Sequence, residues 1–223
     1  HYNGEKYTLQ IDSHHRFEQD WDVTLITMLR DLQKKGHKKP LITAYAARYT
    51  PANAPDNKTG ADILMDTDRP MRMVADKFTA GGTVLFRPNH IHDPEDLKAP
   101  VPARWVSGHF YFTLGRHCED YIYDPHMYFA GDEMALSVRS FTAGYDLFHP
   151  HKVVVYHEYT REYRDHKHWG DHSTALAEKK EIDKAWHVRN LESLARLRQL
   201  TGQEDGGIDL GEYGLGKERT LKD

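Results

Sequence analysis

The apolar run YTLQI (residues 7–11) predicts a short strand, and the spacing then changes. Trp21, Leu25, Met28, Leu29 and Leu32 recur at helical intervals until Lys34-Lys35-Gly36, where cations and a glycine suit a helix C-terminus. A second strand is predicted over Pro40–Ala46. Residues 48–72 are rich in Pro, Asn, Asp and Gly and predict a surface loop; residues 73–87 predict a strand or hairpin turning at Gly81-Gly82, and residues 90–102 another loop. The run ARWVSGHFYFTLGRH (103–117) carries the Val, Phe and Tyr of a strand, with Gly108 where a backbone approaches closely. From Gly131, the residues Met134, Ala135, Val138 and Phe141 share one helical face, with Asp132 and Glu133 in the first turn and Gly144 after the last. KVVVYHEY (152–159) reads as a buried strand interrupted by His157. Residues 173–200 predict one long helix with Ile182, Trp186, Leu194, Leu197 and Leu200 near helical period, followed by a Gly-rich tail wrapping the surface.

Strands alternating with helices predict an α/β class, a mixed sheet covered by helices. Residues 1–172 are expected to form the core, and 173–223 a C-terminal helix and tail packing on it. Composition narrows the function. Of 223 residues, 39% are hydrophobic and 29% charged, enough for a real core. A net charge of -4 offers no electrostatic case for nucleic acid or an anionic membrane. Cys118 is the sole cysteine, which excludes an internal disulfide or a cysteine zinc cage and favours a reducing, cytoplasmic setting. No stretch approaches the ~20 apolar residues of a membrane span.

The chemistry begins where the first strand ends, in Asp12-Ser13-His14-His15-Arg16. Side chains at i and i+2 of an extended chain point the same way, so Asp12 and His14 can face one target while Ser13 turns from it. Carboxylate oxygen with imidazole nitrogen suits Mn, Fe, Zn or Ni better than Mg or Ca. Each candidate also has an ordinary reading. Asp12 could be a turn residue, Asp132 and Glu133 simple complements of a helix N-terminus, and His157 a satisfied core histidine.

Taken in order, QIDSHHRF, YDPHMYFAGDEMALSVRSFTAGYDLFHP and VVYHEYTR resemble the GlcNAc-transferase family of cytoplasmic enzymes that modify hydroxyproline on a protein. They are also similar, more distantly, to polypeptide GalNAc-transferases. The resemblance runs from about Tyr7 to Trp169, and the closing YGLGKERTL (213–221) also resembles the former family. It implies a GT-A fold, a UDP-sugar donor, manganese or another divalent cation, and a protein or glycan acceptor. Asp12 and His14 match the metal-binding D-x-H motif, and His157 the third protein ligand. Asp132 occupies the position of the acid that holds donor-sugar hydroxyls, with Glu133 beside it. Gly108 and His109 lie where related chains pass under the sugar, and Arg16 and Arg161 are candidates for the donor diphosphate. The resemblance further implies transfer with retention at the anomeric carbon, in which the departing phosphate takes the acceptor proton, so no general base is named.

Two departures stand out. Only eleven residues precede Asp12, where a GT-A domain carries several strand-helix units, so the sequence reads as lacking much of the N-terminal nucleotide-binding half, through trimming or through loss. Asp132 is also shorter than the Glu common at that position. Two rival readings remain: a non-haem iron oxygenase with a two-His-one-carboxylate site, and a non-catalytic sugar- or partner-binding remnant of a transferase.

Overall fold

A computed structural model describes residues 2–160 and 168–223. The chain runs through β1 (Tyr7–Ile11), β2 (His15–Phe17), α1 (Trp21–Lys34), β3 (Pro40–Thr43), β4 (Ala47–Thr50), β5 (Ile63–Leu64), β6 (Met71–Phe78), β7 (Val84–His90), β8 (Val101–Pro102) and β9 (Phe110–Leu114). It continues through α2 (His117–Asp120), α3 (Asp132–Thr142), β10 (Asp146–His149), β11 (Val155–His157), α4 (His168–Asp171), α5 (Thr174–Glu178) and α6 (Trp186–Thr201).

The class is mixed α/β, as expected. A five-stranded sheet runs in the order β1, β9, β3, β10, β8, and a four-stranded sheet in the order β2, β11, β4, β5, while β6 and β7 pair as a hairpin. β3 and β10 are parallel, as are β4 and β11; the other pairings are antiparallel. Three times the chain leaves the larger sheet for the smaller one: from β1 to β2 through residues 12–14, from β3 to β4 through 44–46, and from β10 to β11 through 150–154. These crossings form a seam between the sheets, and the candidate metal ligands sit on it.

Helices fix the sheets from outside. α1 buries Leu25, Met28, Leu29 and Leu32, spaced as one helical stripe, against Ile42, Phe110, Phe112 and Phe148 of the larger sheet. Each such burial stabilises by about 1.5–3 kcal/mol. α3 meets α6 through Met134, Ala135, Leu197 and Leu200, joined by Val84 of the hairpin. The N-cap of α3, Gly131, has φ 91°, and a Cβ there would lie 2.9 Å from Leu197 Cδ2. The positive φ therefore favours glycine, and a Cβ would also crowd the Leu197 side chain. A nearly buried ion pair, Arg196 to Asp124 at 2.7 Å, ties α6 to the loop before α3. The tail closes over the far end of α3, where Thr142 carbonyl accepts the N–H groups of Glu218 and Arg219 at 2.9 and 3.1 Å. Arg139, buried in α3, donates to the carbonyls of Ile122, Glu212 and Gly214.

Several elements differ from expectation. The strand expected over Pro40–Ala46 ends at Thr43, because residues 44–46 carry the chain across the seam into β4. The expected loop over 48–72 holds most of β4 and all of β5. The strand expected over 103–117 is only Phe110–Leu114. The helix expected over 173–200 is broken between Glu178 and Trp186: Lys180 adopts φ 61°, and Ile182 is the only large apolar side chain in the charged run EKKEIDK. Too little apolar surface is available there to hold a continuous helix.

Candidate functional site

Asp12 and His14 occupy the crossing from β1 to β2, and the backbone fastens both sides of it. Asp12 N–H donates to His109 carbonyl at 3.3 Å, and Glu158 N–H donates to His14 carbonyl at 3.2 Å. The second bond holds His14 beside the end of β11. There His157, the last residue of the strand, stands in register opposite His15, the first of β2. Strand pairing thus closes the 145-residue separation between positions 12 and 157.

The result is a compact three-residue group. One ligand atom from each of Asp12, His14 and His157 lies within 4.8 Å of the others. Asp12 Oδ2 is 3.4 Å from His157 Nε2 and 3.5 Å from His14 Nε2. The His157 hydrogen bond holds the Asp12 carboxyl below its ordinary pKa, partly offset by burial, which keeps it ionised and ready to ligate. One carboxylate and two imidazoles fit a divalent transition metal, with coordination positions left for oxygens of a bound molecule.

Three more rings wall this group. His15 is buried, and its Nδ1 donates to Asp12 carbonyl at 2.9 Å; burial pushes its pKa down. His109 has both nitrogens engaged: Nε2 accepts Ala46 N–H at 3.2 Å, so the neutral ring carries its proton on Nδ1, 2.9 Å from Ser107 Oγ. Burial holds the His109 pKa well below its usual value, consistent with that neutral ring. Tyr159 packs edge-on against His157 at 4.2 Å and donates its hydroxyl to Ala46 carbonyl.

A cleft of about 440 Å³ runs from Asp12 and His157 past Gly108 and His109 to Asp132 and Glu133, with Val84, Leu85 and Phe86 of the hairpin on one wall. Acids at an exposed helix N-terminus usually have lowered pKa values. Here burial dominates and raises both. Glu133 is pushed up to about 7, although its carboxylate accepts Gly108 N–H at 3.0 Å and the Tyr45 hydroxyl at 2.8 Å. Asp132 is raised by burial, partly offset by a Tyr123 hydrogen bond, and its buried Oδ1 has no partner among the described residues. Such an oxygen is an acceptor waiting for a donor. Gly108 keeps the space beside the acids open: a Cβ would touch Asp132 Oδ2 and Glu133 Cγ, each at 3.5 Å.

The cleft therefore gathers Asp12, His157, Gly108, His109, Asp132 and Glu133, with His14 in the ligand group at its end. Arg16 stands apart. It follows His15 on β2, so it faces the other way, where it pairs with Asp62 and covers the Tyr49 ring at 4.9 Å. Arg161 lies outside the described residues. Sequence reasoning missed Tyr45, Ser107 and Tyr159. Tyr45 carries the only polar side-chain tip in the run Ala44–Ala47, a signal too slight to imply a partner 88 residues away.

A family model for Glycosyltransferase (GlcNAc) matches residues 1–223 of the chain. No curated protein matches it.

Proposed function

The chain belongs to the GlcNAc glycosyltransferase family, and from that premise we propose that it is a metal-dependent, retaining transferase moving GlcNAc from a UDP-sugar to a hydroxyl acceptor on protein or glycan. The observation that carries the reading is the single cleft joining the Asp12, His14 and His157 group to the buried acids Asp132 and Glu133. Family membership gives the rival iron-oxygenase reading no support.

Asp12, His14 and His157 would hold a divalent cation, manganese being the favoured one. When bound, that cation supplies electrostatic stabilisation of the diphosphate leaving group as charge develops on it. The remaining work falls to the chain. Asp132, whose Oδ1 has no partner among the described residues, accepts a hydroxyl of the donor sugar, and its burial makes that bond worth more than it would be in water. Glu133 is fixed by Gly108 N–H and Tyr45, so it orients the sugar as a rigid acceptor. Gly108 leaves room for the ring, and His109 forms the cleft floor as a neutral imidazole. Arg161 remains a candidate for the diphosphate, whereas Arg16 is turned away from the cleft toward Asp62. No side chain is given the role of general base, because retention allows the leaving phosphate to take the acceptor proton.

Titration with Mn²⁺ in the presence of UDP-GlcNAc, reading UDP release, tests the proposal. Release is expected to require the metal and to rise when an acceptor hydroxyl is supplied. Binding of Mn²⁺ and UDP-GlcNAc with no release under either condition would favour a binding remnant instead.

A further inference from the structure

Resting on the metal-site reading above, we propose that His15 is a positioning residue that fixes the tautomer of His157: His15 Nε2 accepts a hydrogen bond from His157 Nδ1–H when His157 Nε2 ligates a cation.

Two buried orphan nitrogens carry the inference, and they become donor and acceptor once His157 Nε2 gives up its proton to ligate. Among the described residues, His15 Nε2 and His157 Nδ1 are both buried and both without a hydrogen-bond partner. Their residues are register partners on β2 and β11, so their side chains rise from the same face of the smaller sheet. Their ring centroids lie 4.7 Å apart with planes inclined by 56°, a spacing that a nitrogen-to-nitrogen hydrogen bond can span once the rings turn toward each other.

The proton assignments follow from chemistry. Asp12 carbonyl can only accept, so His15 Nδ1 carries a hydrogen and neutral His15 offers a lone pair at Nε2. His157 Nε2 faces Asp12 Oδ2. Using that nitrogen's lone pair for a cation forces the proton of His157 onto Nδ1, and a buried N–H then needs an acceptor. Among the described residues the other neighbours fit less well: His109 Nε2 accepts Ala46 N–H and its Nδ1 carries the hydrogen that faces Ser107, the Tyr159 hydroxyl is held at the Ala46 carbonyl, and His14 is itself a ligand candidate. His15 Nε2 supplies the missing lone pair. The chain of bonds then runs from Asp12 carbonyl through His15 and His157 to the ligating nitrogen, so one residue contributes a ligand oxygen and anchors the partner of a second ligand.

Metal-ligating histidines generally depend on such an outer partner, and its removal costs about 10- to 100-fold in metal affinity. The experiment measures Mn²⁺ affinity by calorimetry for the wild-type chain, His15→Phe and His15→Gln, and the histidine ring tautomers by ¹⁵N NMR of the wild-type chain with Zn²⁺. Expected are a loss of about 10- to 100-fold in His15→Phe, recovery in His15→Gln, whose amide oxygen can accept, and a protonated His157 Nδ1 in the Zn²⁺ form. Unchanged affinity in His15→Phe overturns the role of His15 and leaves the metal site standing, whereas a proton on His157 Nε2 in the Zn²⁺ form removes that nitrogen as a ligand and overturns the metal-site reading with it. Failure of the wild-type chain to bind Mn²⁺ overturns both. If His15→Phe does not fold, the wild-type Zn²⁺ form decides alone: a ¹⁵N–¹⁵N coupling across the hydrogen bond from His157 Nδ1 to His15 Nε2 is expected, and its absence overturns the role of His15.

Discussion

His157 Nε2 lies 3.4 Å from Asp12 Oδ2, so an imidazole ending β11 meets a carboxylate just past β1. Neither residue belongs to the other's sheet. Their meeting depends on the antiparallel pairing of β2 with β11, which sets His157 opposite His15 and thereby beside the crossing that carries Asp12 and His14. Any change that removes one member of the trio should act on the ion first and on the fold little.

His157→Ala is accordingly expected to weaken Mn²⁺ binding by at least about 100-fold, the upper end of what loss of an outer-shell partner alone costs, and to abolish sugar transfer. Circular dichroism should remain that of the wild type. Calorimetry with Mn²⁺ beside a transfer assay checks both; wild-type turnover in the variant removes His157 from the site.

Asp132→Asn separates sugar binding from metal binding. Transfer should fall by roughly 10²- to 10³-fold, the usual loss when a preorganised polar contact is removed from a buried site, while Mn²⁺ affinity stays near wild type. Equal losses in both measurements would contradict its contact with the donor sugar.

Gly108→Leu should block the cleft without disturbing the backbone. A Cβ at this position meets only ordinary contacts, at 3.5 Å, whereas a longer side chain must occupy the space beside Asp132 and Glu133. A higher KM for the donor, with the melting temperature held, is the expected result; an unchanged KM would mean that the sugar lies elsewhere.

Glu133 offers a readout that needs no substrate. In metal-free protein, ¹³C-labelled Glu133 should titrate near the value of about 7 to which burial raises it. Tyr45→Phe should move the midpoint higher, because the tyrosine hydroxyl donates to the ionised carboxylate and favours it. A midpoint at the ordinary carboxylate value would show that the acid is solvated.

Acid sensitivity of the fold should come from two histidines away from the cleft. His117 and His149 are 1% and 2% exposed, and burial lowers each pKa to about 4. In the unfolded chain they protonate near 6.5, so below that pH the unfolded state binds more protons. Stability fully present above pH 6.5 is then lost as the pH falls towards 4, at up to about 1.4 kcal/mol per pH unit for each histidine. Within the cleft the effects oppose one another: raised Glu133 and Asp132 act in the opposite sense, while lowered His109 and His15 act in the same sense as His117 and His149. Thermal melts from pH 7 to 4.5 should show a falling Tm, and His149→Gln a shallower fall. A flat wild-type profile would exclude the two histidines as its source.

How much of this was legible depends on the range of the interaction. α1 could be read because Leu25, Met28, Leu29 and Leu32 form one stripe within a single element. β10 could not: its four residues follow closely on α3, and its parallel pairing with β3 is a contact between distant segments. The residues of the candidate metal group were reachable through strand periodicity at Asp12 and His14 and family resemblance at His157. The buried acids were recognised by position, but not the burial that raises Glu133, since Tyr45 and Gly108 come from other elements. Arg16 illustrates the opposite error of proximity in sequence: one residue after His15, it turns to the far face of β2 and meets Asp62.

The seam between the sheets has one more consequence. Asp12 is bonded to the backbone at the end of the larger sheet through His109, whereas His157 ends a strand of the smaller one. A cation gripped by both would act as a rivet across the joint, resisting any motion that slides one sheet past the other. Saturating metal at 100 times its dissociation constant should then add about 2.7 kcal/mol to the folded state. Exchange of the amides in residues 12–14 and 155–158 should slow more than exchange in the distant β6 and β7 hairpin.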